Sequence, residues 1–362
     1  MQNTELLLKE LTLEEKCALL SGAETFKTRG MPQHGIPQIW LSDGPHGLRK
    51  QAGESDHLGL NPSVPATCFP TASAVANSWD AALGEKIGAA LGEEAAAQEV
   101  SVVLGPGLNM KRNPLCGRSF EYFSEDPYLA GKLAAGYIRG IQSKGVAACP
   151  KHFAVNSQET RRMASDSIVD ERTLREIYLT GFEIAVKEGH PRSIMSSYNL
   201  VNGTYANENK HLLMEILRGE WGYKGFVITD QTSFNSFDYC DIREGLAAGN
   251  DLWLNTAYNM WALNDSELTA TVMQNARTAT HRYLYAVANS NAMNGVDADT
   301  TVKNIIPIWQ YGYVALVVFV AVMWFFGFKA VRALWASKRY LAKKAERKAK
   351  RAAKKAAKAN KA

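Results

Sequence analysis

Short apolar runs alternate with longer helical patterns along residues 1–290. Val100–Leu104 and Gly225–Asp230 are rich in β-branched residues and are bounded by turn formers, which predicts buried strands. Between such runs lie segments with helical periodicity, such as the Ala-rich stretch Ala81–Glu99. Asp251–Leu254 is the last strand that the pattern predicts. Strands that alternate with helices in this way predict a parallel α/β barrel.

Capping residues mark several predicted helix starts. Thr12 is followed three positions later by Glu15, which is the pattern of a capping box. Asp126 precedes Pro127, a residue favoured at the first helical position. Asp170 is expected to cap a helix that runs to about Glu188. These signals place helices directly after the polar loops that follow the strands.

Polar side chains gather where the predicted strands end. The side chains in question are Asp43, Arg49, Arg118, Glu121, Lys151, His152, Tyr198 and Asp230. Taken alone, Asp230 is explained at least as well by a turn or a helix cap. In a parallel barrel, however, all these groups meet at one face. Carboxylates among long donors suit a polyhydroxylated ligand, and one carboxylate can attack an anomeric carbon.

Other classes of site lack their sequence signals. No glycine-rich nucleotide motif follows a strand, HExxH is absent, and the seven histidines are dispersed. The five cysteines are scattered without a CxxC pair, which is typical of isolated thiols. We therefore expect no cofactor, no metal and no disulfide framework.

Four long motifs carry a resemblance to a known family. They are LSDGPHGLR at Leu41–Arg49, the loop Leu104–Pro127, the run Lys151–Leu179, and EWGYKGFVITD at Glu220–Asp230. Together they resemble glycoside hydrolase family 3, in its β-glucosidase/β-xylosidase-like branch, over about residues 5–290. The resemblance implies a TIM-like (β/α)8 barrel at residues 1–290.

The same resemblance implies a retaining, exo-acting β-glycosidase that hydrolyses O-glycosidic bonds through a covalent glycosyl-Asp intermediate. Asp230 matches the nucleophile. The positions that match the sugar-holding groups are Asp43, Arg118, Lys151, His152 and Tyr198. Arg49 and Glu121 remain open between a sugar contact and a structural ion pair. The expected ligand is a β-linked glucoside or another small glycoside.

Two departures from the family pattern matter. Gln231 stands where the family usually has Trp after the nucleophile. In this branch the general acid/base is a Glu on a second domain, and residues 291–362 do not resemble that domain. The segment Lys151–Ser157 also lacks the Pro-Gly-His-Gly loop of single-domain members. We expect an enzyme that needs an acid/base domain from another chain or from a segment upstream of Met1. The alternative is a catalytically impaired, membrane-anchored sugar-binding barrel.

Residues 305–328 form a long apolar segment that follows a polar linker at 291–304. These residues carry no charge, and a helix of this length spans the hydrocarbon core of about 30 Å. Trp309 and Trp324 lie toward the two ends, as in an aromatic belt. A buried core helix is the alternative, but the segment is apolar all round and basic residues follow at once. The pattern predicts a transmembrane helix.

Residues 329–362 form a basic tail with 14 Lys or Arg and a single acid, Glu346. Since the whole chain has a formal charge of +5, residues 1–328 carry −8. The positive-inside rule places the tail in the cytoplasm and the barrel outside, in a single-pass protein of the cell membrane. A nucleic-acid-binding tail is the weaker alternative. We expect a helix on anionic lipid and no nucleic acid partner.

Overall fold

The chain divides into two units, Met1–Ala298 and Asp299–Ala362. The computed structural model describes residues 2–53, 60–232, 239–254, 269–293 and 308–359. Most of the predicted linker and the first three residues of the predicted span therefore lie outside the described residues.

The first unit alternates helices and short strands. Its first half contains α1 (Gln2–Glu10), α2 (Leu13–Leu19), β1 (Gly22–Glu24), β2 (Lys27–Thr28), β3 (Leu41–Asp43), α3 (Ala72–Ala76), α4 (Ala81–Ala97), β4 (Val102–Leu104), α5 (Pro127–Gln142) and β5 (Ala147–Ala148). Its second half contains β6 (Asp166–Ser167), α6 (Glu171–Thr173), α7 (Thr180–Ile184), β7 (Ser193–Ser196), β8 (Leu200–Val201), β9 (Thr204–Tyr205), β10 (Phe226–Thr229), α8 (Ile242–Ala248) and α9 (Ala270–Ala288). Helical turns of π type extend α6 and α7 at Leu174–Leu179 and Ala185–Gly189 and form the helix His211–Glu220.

The predicted helix starts are confirmed. The Thr12 hydroxyl accepts a hydrogen bond from Glu15 N at 3.2 Å, and Glu15 Oε2 accepts one from Thr12 N at 2.9 Å. Asp126 caps α5 by accepting from the first free backbone N–H groups, with Pro127 at the first helical position. Asp170 caps α6 in the same way. These caps determine the residue at which each loop ends and the helix begins.

Five strands form two parallel sheets. One sheet has the order β3-β4-β5 and the other pairs β10 with β7. A parallel bridge between Phe153 and Ser196 connects the two sheets, and another joins Ile228 to Leu252. The strand directions therefore bring the carboxyl ends of β3, β4, β5, β7 and β10 to one face.

The N-terminal hairpin of β1 and β2 connects the edge strand β3 to the segment around Trp253. Ser21 bridges Trp253 in parallel, β1 pairs with β2 in antiparallel fashion, and Lys27 bridges Trp40 next to β3. The parallel plan of the predicted TIM-like barrel thus holds, but its eight regular strands are not present among the described residues. Antiparallel β2 occupies the place of a parallel strand, and the predicted strand at Asp251–Leu254 forms only single bridges.

Alternate strand residues face two apolar layers. Val103 and Val227 pack with the helices outside the sheets, among them α4 and α5. Their neighbours Val102 and Ile228 pack in the second layer, which includes Leu19, from α2, and residues of α9. Burial on both faces explains the β-branched runs that the sequence shows. Because both faces are packed, the strand ends are held in fixed positions.

The second unit contains one continuous helix, α10 (Ile308–Ala359). The part of the predicted span that is described and most of the basic tail therefore belong to the same helix. Within it, Tyr311–Lys354 is long and apolar enough to cross a membrane by length and composition. None of the residues in its most apolar window is buried against protein.

Candidate active site

The predicted site residues lie at the carboxyl ends of the parallel strands. Asp43 ends β3, and Asp230 directly follows β10. Lys151 and His152 follow β5, and Tyr198 follows β7. Arg118 belongs to the long loop between β4 and α5 and interacts with Asp230. The structure therefore brings all six residues to one face of the first unit.

An ion pair joins the ends of β3 and β5. Lys151 Nζ donates to Asp43 Oδ1 at 2.6 Å and lies 3.9 Å from Glu121 Oε2. The Lys151 side chain is only 3% exposed. Burial disfavours its charge, but the carboxylates of Asp43 and Glu121 outweigh burial and raise the pKa of Lys151. Burial also opposes the charge of Asp43, yet Lys151 lowers the pKa of that carboxyl overall.

A tight glycine loop holds Asp43 in place. Gly44 and Gly47 have φ of +116° and +140°, which side chains rarely tolerate. A Cβ on Gly44 would lie 1.8 Å from the carbonyl oxygen of Gly47. Arg49 N donates to Asp43 O at 2.9 Å, and Arg49 helps to lower the Asp43 pKa. The glycine turn and the charged residue Arg49 therefore both help to hold Asp43 in place.

Arg118 and Glu121 form a second ion pair, between Arg118 Nε and Glu121 Oε1. Glu121 is buried and also approaches Lys151, so the geometry places it as the partner of two cations. Burial opposes the charge of Arg118, but Tyr122, Glu121 and Asp230 raise the pKa of its guanidinium. Both cations beside Glu121 are therefore held in charged form.

His152 is a buried, neutral imidazole beside the candidate nucleophile. Its Nε2 lies 3.6 Å from Asp230 Oδ2, and its Nδ1 lies 3.0 Å from the hydroxyl of Tyr122. Both backbone groups of His152 bond to the side chain of Asn109 at 2.8 Å. Burial, followed by the charges of Arg118 and Lys151, lowers the His152 pKa well below its usual value. The Tyr122 hydroxyl donates to Nδ1 or accepts from it according to which ring nitrogen carries the hydrogen.

Asp230 has one carboxylate oxygen engaged and one free of hydrogen bonds. Oδ1 accepts from Gln231 N at 2.9 Å, whereas buried Oδ2 has no hydrogen-bond donor among the described residues. Burial raises the Asp230 pKa, although Arg118 and Arg162 oppose the shift. Burial and Asp230 raise the Tyr198 pKa well above its usual value, so this hydroxyl keeps its proton. Asp230 Oδ2 is therefore the carboxylate oxygen of this cluster that no described donor occupies.

Arg162 and Glu159 also belong to the site, although strand-end reasoning did not select them. Arg162 Cζ lies 4.6 Å from the ring centroid of Tyr198, and Arg162 Nη1 donates to Glu159 Oε2 at 2.8 Å. Both residues lie in the charged loop between β5 and β6. The density of charge in that loop was the available signal, but it has no periodicity that shows where a side chain points.

Every carboxylate identified around Asp230 has a cationic partner. Asp43 pairs with Lys151, Glu121 with Arg118, and Glu159 with Arg162. Among the described residues, none of these three carboxylates lies beside Asp230 without a cation. Gln231, the departure from the family pattern, is buried and offers no aromatic face to a sugar.

The described residues contain no group of three His, Cys, Asp or Glu side chains placed to hold a metal ion. A cavity of about 660 Å³ lies at the opposite end of the strands, before β7 and β10. Its lining includes Lys187, Arg192 and Lys224, together with residues from the ends of α5 and α9. Cations at helix carboxyl ends complement the helix dipoles. This cavity therefore needs no ligand to explain its charge.

The chain is similar to one known family and to several curated proteins. Residues 19–282 match the family described as "Glycosyl hydrolase family 3 N terminal domain". The chain is 54% identical over 254 residues to the thermostable beta-glucosidase B of Acetivibrio thermocellus, covering 70% of this chain and 33% of that protein. It is 51% identical over 227 residues to an exo-alpha-(1->6)-L-arabinopyranosidase of Bifidobacterium longum, covering 62% of this chain and 30% of the relative.

The fold is also similar to that of solved beta-glucosidase structures. Beta-glucosidase 3B from Thermotoga neapolitana in complex with alpha-D-glucose superposes with a TM-score of 0.71 at 39% identity. The match covers 80% of this chain and 43% of that chain. The chain thus spans about a third of the length of the curated relatives that it matches.

Proposed function

The chain belongs to glycosyl hydrolase family 3, and on this basis we propose that it is the barrel of a retaining, exo-acting β-glycosidase of β-glucosidase type. The observation that carries the proposal is Asp230, whose Oδ2 has no hydrogen-bond donor among the described side chains. Around it lie the neutral His152 and the charged groups Arg118 and Lys151. An ionised oxygen among hydrogen-bonding side chains suits attack on an anomeric carbon.

In the proposed reaction, Asp230 Oδ2 forms a bond to the anomeric carbon while the bond to the aglycone oxygen breaks. The departing oxygen takes the electron pair and must gain a proton. Water then hydrolyses the glycosyl-Asp230 ester and restores the carboxylate. Asp43, Lys151 and Arg118 bind the sugar hydroxyls, while His152 and Tyr198 orient the sugar and the nucleophile.

The proposal includes an acid/base group on a separate domain, either on another chain or on a further part of a longer protein. Each nearby carboxylate is paired with a cation, so the described side chains around Asp230 supply no unpaired carboxyl group. The curated relatives are about three times as long as the part that matches. General acid catalysis contributes typically 10²–10⁴-fold, so a chain without it should cleave alkyl glycosides very slowly.

The expected substrate is a β-linked glucoside or a small oligosaccharide with such an end. The names of the relatives vary in the sugar: one is a beta-glucosidase and another an arabinopyranosidase. A solved relative is described in complex with alpha-D-glucose. Each of these names refers to a pyranose sugar, which one pocket at the end of the barrel could bind. β-Glucosides are therefore the first substrates to test.

A second candidate is a membrane-anchored barrel that binds sugar without turnover. Two observations favour it: Gln231 stands where the family usually has Trp, and each carboxylate identified around Asp230 is paired with a cation. In either case we propose that α10 crosses the cell membrane, with the barrel outside and the basic tail inside on anionic lipid. The uncharged run within Tyr311–Lys354 supports this topology.

An activated aryl glucoside separates the candidates. Dinitrophenyl β-glucoside has a leaving group that needs little protonation, so it should glycosylate Asp230 without the acid. We expect a burst of dinitrophenolate and a glucosyl adduct on the Asp230 peptide by mass spectrometry. Asp230→Asn should abolish both while glucose binding persists. Glucose binding without any adduct in the unsubstituted chain would support the sugar-binding candidate, and absence of both would count against the whole proposal.

A further inference from the structure

The loop between β5 and β6 contains a connected set of polar side chains. Asn156 Nδ2 donates to Glu159 Oε1 at 3.2 Å, and Arg162 Nη1 donates to Glu159 Oε2 at 2.8 Å. Both oxygens of Glu159 are thus engaged. Asn156 is buried, with 1% of its surface exposed, so the contact ties the loop to the interior.

Backbone geometry fixes this loop further. Arg161 has φ of +53°, and Ala164 N donates to Arg161 O at 2.8 Å. Gln158 Nε2 donates to Ser165 Oγ at 2.8 Å across the same loop. Such turns hold the two ends of the Glu159–Arg162 pair at a set spacing. The pair is therefore part of a shaped loop rather than two free surface side chains.

The guanidinium of Arg162 points into the site. Its Cζ lies 4.6 Å from the Tyr198 ring centroid, a cation–π distance. Tyr198 is buried and lies beside Asp230. The positive charge of Arg162 acts on Asp230, and it also acts on His152. Within the described part of the chain, the side chain of Glu159 bonds to Asn156 and Arg162 and not to Asp230, so its influence passes through Arg162.

We propose that Glu159 is a positioning residue, which holds the Arg162 guanidinium over Tyr198 so that its charge stays beside the nucleophile Asp230. This inference rests on the proposed function of Asp230. Without Glu159, the long Arg162 side chain can turn toward solvent, where its charge is screened. The buried Asp230 carboxylate would then lose one of the cations that favour its ionised form.

The simplest alternative is an ordinary surface ion pair of little consequence. The exposure of the side chains argues against it, because Glu159 is 23% exposed and Arg162 is 28% exposed. A helical pair of the same types, Arg172–Glu176, is 83% and 60% exposed. That exposed pair contacts no site residue and supplies a matched control.

A second alternative is that Glu159 is the resident general acid. The two roles differ in their dependence on the leaving group. A positioning residue affects every substrate alike, because it acts on the nucleophile. A general acid matters most for poor leaving groups and little for dinitrophenolate. The experiment therefore varies the leaving group as well as the pH.

The test compares Glu159→Gln with the control Glu176→Gln in the full chain. The rate of Asp230 glucosylation is measured against pH with aryl β-glucosides of graded leaving ability. We expect the acid limb of Glu159→Gln to move to higher pH, lowering the rate on that limb about 3- to 10-fold and the alkaline plateau little. Glu176→Gln should match the unsubstituted chain, and Glu159→Asp should recover part of the loss.

An unchanged acid limb in Glu159→Gln would overturn the proposal, as would a loss that grows with poorer leaving groups. Glucose binding and thermal unfolding show whether the variant is folded. If the unsubstituted chain is not glucosylated, the function proposed for Asp230 fails instead. The Asp230 titration can then be followed by ¹³C NMR, using Asp230→Asn for assignment. Identical titration in Glu159→Gln and the unsubstituted chain would refute the positioning role.

Discussion

Lys151 Nζ donates to Asp43 Oδ1 at 2.6 Å across 108 positions of sequence. The bond joins the ends of β3 and β5, and Lys151 is almost completely buried in it. A side chain that is fixed in this way presents its remaining hydrogens in set directions. The pair thus serves the fold and, under the proposed function, the sugar.

Replacing Lys151 by Met tests that dual role. The change leaves the Asp43 carboxylate without its ammonium partner, and its pKa should rise because Lys151 is what lowers it. We expect glucose affinity to fall about 10- to 100-fold, since a charged hydrogen-bonding group is lost. Titration calorimetry measures the loss. Lys132→Met, at the exposed Lys132–Glu188 pair, should leave affinity unchanged.

His152 should make stability depend on pH below about 6.5, its usual pKa. Its folded-state pKa is lowered well below that value, so the unfolded chain binds a proton that the folded chain does not. The free energy of unfolding should therefore fall with falling pH, by up to about 1.4 kcal/mol per pH unit from this group.

Urea unfolding at several pH values measures that slope. His152→Gln should reduce the pH dependence of the free energy of unfolding by the contribution of about one proton, although the variant is less stable at neutral pH. A slope that is identical in both chains would show that the imidazole is not held neutral. His34→Gln removes a histidine paired with Glu15 near the surface and serves as the control.

Asp251 should be the most sensitive carboxylate for stability. It is fully buried and accepts from Arg218 Nη2 at 2.5 Å, Arg282 Nη1 at 3.0 Å and Val227 N at 2.8 Å. Asp251→Asn would leave the buried Arg218 without its counter-charge, at a cost of about 3–5 kcal/mol. Chemical denaturation measures this cost. Asp241→Asn, at an exposed pair with Arg243, should cost far less.

The proposed topology gives a membrane test. Vesicles with anionic lipid should bind a peptide of residues 329–362 more tightly than neutral vesicles, by about 1 kcal/mol per Lys or Arg near the surface. Added salt should weaken that difference. In cells, the full chain should stay in the membrane fraction after an alkaline wash. Release by that wash would contradict a spanning helix.

The sequence predicted much of the fold where the signals are local. The Thr12–Glu15 box and the Asp126–Pro127 start are confirmed because capping depends on residues three positions apart. The buried run at β10 was found because burial on both faces leaves a continuous apolar pattern. Local chemistry of this kind can be seen in one segment alone.

Features that depend on distant contacts were not found from the pattern. The hairpin β1–β2 has strands of three and two residues, too short to show alternation. Helix α8 was not singled out, and π-type turns have no sequence periodicity of their own. Arg162 was missed because its direction depends on Glu159 and Tyr198 together. The cluster of Asp43, Lys151 and Asp230 was predictable only because strand ends share a face.

The bridge between Ser21 and Trp253 has a consequence for how the chain folds. Leu20 O accepts from Trp253 N at 2.9 Å, so the first turns and the last bridge of the unit depend on each other. Contacts across more than 200 residues form late, because closing so large a loop costs entropy before any gain. During synthesis from the N-terminus, Leu8 and Leu19 emerge before the residues of α9 that pack with them have been made. The nascent barrel should therefore need chaperone protection until α9 has emerged from the ribosome.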